Sequence, residues 1–119
     1  MKVLIAEDDI LSQSLFDRYM CKLGWDHTIV ANGQLAVKEC MSGNFNVILM
    51  DINMPLLNGI GATKRIRSFN KVIPIIAISA VIDSDTKKRC EKAGMNSIIE
   101  LPTSCEIIRD AVTKCFETD

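Results

Sequence analysis

Five short apolar runs alternate with five amphipathic stretches along this chain, and few folds accommodate that alternation. Val3 to Ala6, Val47 to Met50 and Ile75 to Ile78 contain no polar residue at all. Runs of this kind are strands buried on both faces, as in a parallel sheet covered by helices. Residues 3–7 read as the first strand. Ile10 to Leu23 reads as a helix, with Leu11, Leu15, Tyr19 and Leu23 along one face and Gly24 as its stop. A weaker strand over 25–31 and an Asn32-Gly33 turn lead into a helix from Gln34 to Met41, closed by Ser42 to Asn44. The central strand is 47–51. The loop from Met54-Pro55 to Asn58-Gly59 precedes a helix ending near Ser68. A fourth strand over 74–79, a helix from Asp83 to Ala93 stopped by Gly94, a fifth strand from Ser97 to Leu101 and a last helix from Cys105 to Phe116 complete the order. Short connections in a βα series predict an α/β class, doubly wound, five-stranded parallel sheet with right-handed crossovers.

The 119 residues suffice for one packed core, so 1–119 reads as a single domain. A net charge of -1 gives no general attraction to nucleic acid or to an anionic membrane, and neither is expected as a direct partner. No apolar run approaches the ~20 residues of a membrane helix. Met1-Lys2 leads straight into a strand, so no signal peptide is expected and the reading is cytoplasmic. The cysteines at 21, 40, 90, 105 and 115 are scattered and odd in number, without a Cys-x-x-Cys pair. They read as small core-filling residues of a reducing compartment rather than a disulfide or zinc framework. His27 is the only histidine, which argues against a histidine-based metal site.

Three of the predicted strands end at oxygen-bearing side chains. The first runs into Glu7-Asp8-Asp9, the third into Asp51 and the fourth into Ser79. Ligand sites of open α/β sheets lie beyond the carboxyl ends of the strands, so these groups should meet in one crevice. Two carboxylates ~4 Å apart repel by roughly 4 kcal/mol at an effective dielectric of ~20. Either a proton or a cation must relieve that repulsion. Hard oxygen ligands suit Mg²⁺, which keeps several waters and favours a phosphate partner. Asp51 closes the most apolar run and is the candidate nucleophile, since a carboxylate can attack phosphorus to give an acyl phosphate. Ser79 could donate its hydroxyl to a phosphoryl oxygen; Asp83 and Ser84 serve better as the next helix cap.

These residues resemble the receiver domains, or response regulators, of two-component signalling. The resemblance runs from Val3 to Phe116. It rests on Ile5-Ala6-Glu7-Asp8-Asp9 with Ser12-Gln13, on Val47 to Pro55 with Gly59, on Pro74 to Ala80, and on Ala93-Gly94-Met95. Ala62-Thr63 and Arg65-Ile66-Arg67 look most like receivers attached to hybrid histidine kinases. The resemblance implies a flavodoxin-like, CheY-like (βα)5 domain with three α/β/α layers. It implies that Asp51 accepts phosphate from a phosphohistidine of a histidine kinase or histidine phosphotransfer protein, within a phosphorelay. By the same resemblance Asp8 and Asp51 bind Mg²⁺ directly, Asn53 binds it through its backbone carbonyl and Glu7 through water, while Ser79 binds the phosphoryl group and moves on switching.

The chain departs from the family pattern at four positions, two of them at the usual lysine and aromatic switch. Leu101 precedes Pro102 where a lysine is usual, and Ile98 stands at the usual aromatic switch position. Asn58 and Gly61 replace acidic residues. A charge-assisted contact such as the lysine makes is worth ~1.5–3 kcal/mol. Lys87 and Lys88 on the following helix are the conceivable substitutes. The leading reading is a receiver phosphorylated on Asp51, with weakened coupling and at most weak dimerisation. The alternative is a degenerate receiver used as a docking surface without phosphorylation. An enzyme is disfavoured beyond slow autophosphorylation and autodephosphorylation. Phosphatases with an aspartate nucleophile place a second Asp two residues on, and here that residue is Asn53. Flavodoxin-like cofactor binding is disfavoured because no Gly-rich or Ser/Thr-rich phosphate loop follows the first strand.

Overall fold

The computed structural model describes residues 1–117. Its elements run β1 (Lys2–Ala6), α1 (Ile10–Leu23), β2 (Asp26–Val30), α2 (Gly33–Ser42), β3 (Val47–Asp51), α3 (Gly59–Arg67), β4 (Ile75–Ser79), α4 (Ser84–Ala93), β5 (Ser97–Glu100) and α5 (Cys105–Cys115). All five strands are parallel, in the order β2-β1-β3-β4-β5. The doubly wound expectation holds, with every element of the predicted type and boundaries moved by at most one or two residues. Leu101 falls just outside β5, and Glu7 just outside β1.

Alternation along each buried strand splits the core in two. On one face Leu4, Ala6, Ile48, Met50, Ile75 and Ala77 meet Ala36 and Cys40 of α2, Ile60 and Ile66 of α3 and Cys90 of α4. On the other, Val3, Ile5, Val47, Leu49, Ile76 and Ile78 meet Phe16 and Met20 of α1 and Ile108 and Val112 of α5. Both faces of β1, β3 and β4 are therefore covered, which is why these strands read as unbroken apolar runs. At ~25 cal/mol per Å² of apolar surface, each fully buried Ile or Leu contributes ~1.5–3 kcal/mol.

The expected apolar face of α1 holds at Tyr19 and Leu23, which pack against the core, and is corrected at Leu11 and Leu15. Leu11 is 80% and Leu15 43% exposed, while Phe16 and Met20 are buried. The four-residue spacing selected one stripe of a helix that carries two, and the larger Phe16 won the sheet. The cysteines are all free and all helical: Cys40, Cys90 and Cys105 are buried as expected, Cys115 is half-buried, and Cys21 is exposed.

Side-chain caps hold each helix start at the end of the sheet where the strands finish. Asp9, Asn32, Asn58, Asp83 and Ser104 each accept from a backbone N–H in the first turn. Asn58, at a usually acidic position, thus still caps α3. Gly24 and Gly94 close α1 and α4 in the left-handed region at φ 73° and 104°. No described helix is long and apolar enough to cross a membrane.

Candidate phosphoacceptor and metal site

The register brings the ends of β1 and β3 together. Ala6 pairs with Met50, so Glu7 and Asp8 emerge beside Asp51. One carboxylate oxygen from each of Glu7, Asp8 and Asp51 lies within 4.8 Å of the other two. Glu7 is 3% exposed, Asp51 is half-buried and Asp8 is exposed. The cluster therefore has a buried floor and an open rim.

Its electrostatics follow from that burial. Desolvation, and then the neighbouring Asp51 carboxyl, push the Glu7 pKa from 4.5 up to about 8. Burial also raises Asp51 above the usual carboxylate range, against hydrogen bonds from Glu7 and from the Asn53 and Ile52 amides. Without a cation, the Glu7–Asp51 pair keeps a proton at neutral pH. The donor set is all hard oxygen and short of positive charge, as a divalent cation that retains waters requires.

The remaining residues named from the sequence fall around this cluster. Asp9 is committed elsewhere: its carboxylate accepts from the Ser12 N–H and hydroxyl, both at 2.9 Å, and caps α1. The Asn53 N–H donates to Asp51 Oδ1 at 3.1 Å, and the Asn53 carbonyl accepts no hydrogen bond among the described residues. Ser79 ends β4, one register step beyond the Ile78 that faces Asp51. Its buried hydroxyl donates to the Val81 carbonyl at 2.9 Å and so closes the turn that follows. Any phosphoryl contact from Ser79 requires that bond to break.

Leu101 keeps its backbone tied to the site, donating its N–H to the Ser79 carbonyl at 2.8 Å. Its side chain packs on the α1/α5 layer and lines a cavity of about 300 Å³ with Ser12, Leu15, Phe16, Ala80, Pro102 and Thr103. The Leu101-Pro102 peptide is cis. Lys87 and Lys88 are exposed on α4; Lys87 lies beside Cys90 and Met95 to Ile98, and Lys88 beside Asp85 and Lys92. Ile98 is half-buried against the α2/α3/α4 layer. His27 pairs with Val3 near the opposite end of the sheet and contacts Asp17.

The loop that carries Asp51 into α3 depends on one glycine that sequence alone marks only as part of a motif. A Cβ on Gly59 would stand 2.1 Å from the Asp51 carbonyl oxygen, and the Gly59 N–H donates to the Ile52 carbonyl at 2.9 Å. The chain doubles back on the Asp51 backbone there, and only glycine leaves room for it.

Comparison with known proteins points the same way as this geometry. The response regulator receiver domain family matches residues 3–113. Two-component response regulator 24 of Arabidopsis thaliana is 34% identical over 103 residues, covering 86% of this chain and 74% of that protein. Hybrid signal transduction histidine kinase K of Dictyostelium discoideum is 33% identical over 126 residues, covering 98% of this chain and 10% of the kinase, so the chain spans about a tenth of that relative. The receiver domain of a sensor histidine kinase from Pseudomonas aeruginosa PAO1, solved with a magnesium ion in its active-site cleft, has a TM-score of 0.89 at 30% identity, over 95% of this chain and 94% of that one. A Saccharomyces cerevisiae response regulator receiver, crystallised with a histidine phosphotransfer protein, has a TM-score of 0.89 at 27% identity, over 96% of this chain and 87% of that one. Carboxylates gathered at the ends of β1 and β3 on a 2-1-3-4-5 sheet, within a chain matched nearly end to end, have one reading: this chain belongs to the response regulator receiver domain family and is a receiver of two-component phosphorelay signalling.

Proposed function

We propose that Asp51 is the phosphoacceptor of this receiver and that it works with Mg²⁺. The convergence of Glu7, Asp8 and Asp51 within 4.8 Å, with Asp51 at the open rim, carries the reading. Asp8 and Asp51 would hold the ion through carboxylate oxygens, Asn53 through its carbonyl and Glu7 through a water. When bound, Mg²⁺ would offset the carboxylate charge and draw electron density from the phosphoryl oxygens. The Asp51 carboxylate attacks phosphorus, an O–P bond forms, and the P–N bond of a phosphohistidine breaks with its electron pair on the imidazole. The Asn53 amide holds Asp51 Oδ1 and so helps fix the carboxylate for the attack. Ser79 turns from Val81 to donate to the phosphoryl group.

His27, at the far end of the sheet, is no internal donor, so the phosphoryl group comes from a histidine kinase or a histidine phosphotransfer protein. The chain acts in the cytoplasm as one receiver domain, whose own chemistry is limited to slow autophosphorylation from small donors and slow autodephosphorylation. Self-association on phosphorylation is weak, since Leu101 and Ile98 replace the cation and the aromatic relay.

Incubation with acetyl phosphate and Mg²⁺, followed by intact-mass measurement, tests the assignment. Wild type gains one phosphate, and Asp51→Asn gains none. Phosphate found on Ser79, or no gain in wild type, overturns it; the second result would leave a docking module that needs no phosphorylation. Asp8→Asn should also lose most Mg²⁺ binding, read by calorimetric titration, because only one or two carboxylates bind such an ion directly.

A further inference from the structure

Beyond the last ladder pair of β1, the chain must carry Glu7 and Asp8 to the start of α1 without help from the sheet. The Glu7 N–H still reaches β2, donating to the Val30 carbonyl at 2.9 Å. The Glu7 carboxylate accepts from the Asp9 N–H at 3.3 Å. The Glu7 carbonyl has no strand to pair with, and it is met instead by the Gln13 side chain, whose Nε2 donates to it at 2.6 Å. A carbonyl can only accept, so the amide end of Gln13 must present its NH₂ there.

The start of α1 does not need this bond. Asp9 already caps the helix twice through Ser12, and the Gln13 N–H closes the first backbone turn on the Asp9 carbonyl at 2.9 Å. What the Gln13 side chain fixes is the plane of the peptide between Glu7 and Asp8. That plane joins the two Cα atoms that bear the carboxylates, so holding it restricts ψ of Glu7 and φ of Asp8 and with them the relative direction of the two side chains. We propose that Gln13 is a positioning residue of the acidic site: it clamps the Glu7–Asp8 peptide from α1 and so sets the directions in which the two carboxylates reach a divalent cation. This rests on the metal reading of the site given above.

Gln13→Met removes the donor and keeps the length and the apolar stem, and exposed Ser14→Ala on the same helix serves as control. Calorimetric titration with Mg²⁺ should show roughly tenfold weaker binding in Gln13→Met, the scale of an outer partner that orients a ligand, and an unchanged affinity in Ser14→Ala. A purely structural bond would lower thermal stability without moving the Mg²⁺ midpoint, and that result overturns the proposal. If Gln13→Met fails to fold, wild type alone decides: its Gln13 side-chain amide resonance should shift on adding Mg²⁺ with the midpoint of the Asp8 backbone amide, and a resonance that stays still overturns the proposal. Wild type that binds no Mg²⁺ would overturn the metal reading itself. Wild type that binds it beside a Gln13→Met that binds equally well overturns the positioning role alone.

Discussion

A leucine or a lysine at position 101 would leave the backbone alike, since the Leu101 N–H donates to the Ser79 carbonyl in either case. The difference lies in charge. The Leu101 side chain lies on the side of the sheet shared by Glu7 and Asp51, because residues alternating with Ile99, Leu49 and Ile5 point that way. It adds apolar surface beside Ser12 and Phe16 and supplies no donor to a dianionic phosphoryl group. Leu101→Lys should therefore speed phosphorylation by acetyl phosphate about tenfold or more, from the ~1.5–3 kcal/mol of a charge-assisted contact. An unchanged rate, followed by mass or fluorescence, would mean that the side chain does not reach the phosphoryl group. Lys87 and Lys88 are poor stand-ins, because both lie among other α4 and β5 residues. At this scale the sequence was legible in residue type but not in commitment. Glu7-Asp8-Asp9 offers three carboxylates in a row, and nothing in their letters says which one is spent on Ser12 as a cap. That is decided by the extended backbone of Asp9, at φ -81° and ψ 124°. The hydroxyl of Ser79 is a similar case: its present partner is a carbonyl two residues ahead, set by the turn and not by side-chain chemistry.

Strand identity was the easiest element property to read, because burial on both faces leaves an unbroken apolar run in each of β1, β3 and β4, with a polar residue only at one end: Lys2, Asp51 and Ser79. Helix ends were nearly as clear, through Gly24, Gly94 and Asp83. The inward face of α1 was not, since Ile10, Leu11 and Leu15 remain in water beside a core stripe of Phe16 and Met20. Periodicity locates stripes; the shape of the opposing sheet chooses between them. A tie between elements was also hidden. Arg67 at the end of α3 donates to the carbonyls of Gly94 and Asn70 and to Asn96 Oδ1, while Asn96 Oδ1 also accepts from the Ile75 N–H. One guanidinium thereby binds the end of α3 to the turn between α4 and β5, over a separation no local motif could announce. One tight joint between elements is the return of the chain onto β3 at Gly59. Gly59→Ala would drive a methyl against the Asp51 carbonyl and the Ile52 Cα, both backbone atoms that cannot swing aside. The cost should be about 1–3 kcal/mol, as for overpacking elsewhere, read as a lowered urea midpoint with unchanged slope. Asp51 phosphorylation should fall with it, since the displaced atom belongs to the residue proposed as the phosphoacceptor. A variant of wild-type stability and phosphorylation would show that the loop relaxes freely.

For the whole molecule, the layered sheet does more than gather the carboxylates; it denies Glu7 water. Glu7 sits at the end of a strand buried on both faces, so its carboxyl inherits the low polarity of the core while Asp51 stands beside it. In the unfolded chain Glu7 ionises near 4.5, whereas in the fold it holds its proton to about 8. Asp51 is shifted in the same direction. Between those two values the native state binds more protons than the unfolded state, so stability falls as pH rises from 4.5 to about 8 and then levels off. Glu7→Gln should flatten that decline in thermal midpoints measured with chelator present. Mg²⁺ should reverse the balance, because its oxygen ligands must be ionised before they bind and the ion then offsets their charge. Binding at neutral pH should release about one proton per ion, measured by calorimetry in buffers of different ionisation enthalpy. Affinity should rise with pH up to about 8 and flatten above it, where Glu7 is already ionised. The stabilisation by Mg²⁺ should accordingly be greatest where the metal-free protein is weakest. Mg²⁺ binding without proton release at neutral pH would show that Glu7 is ionised before the ion arrives, and that the buried floor of the site is already compensated by another charge.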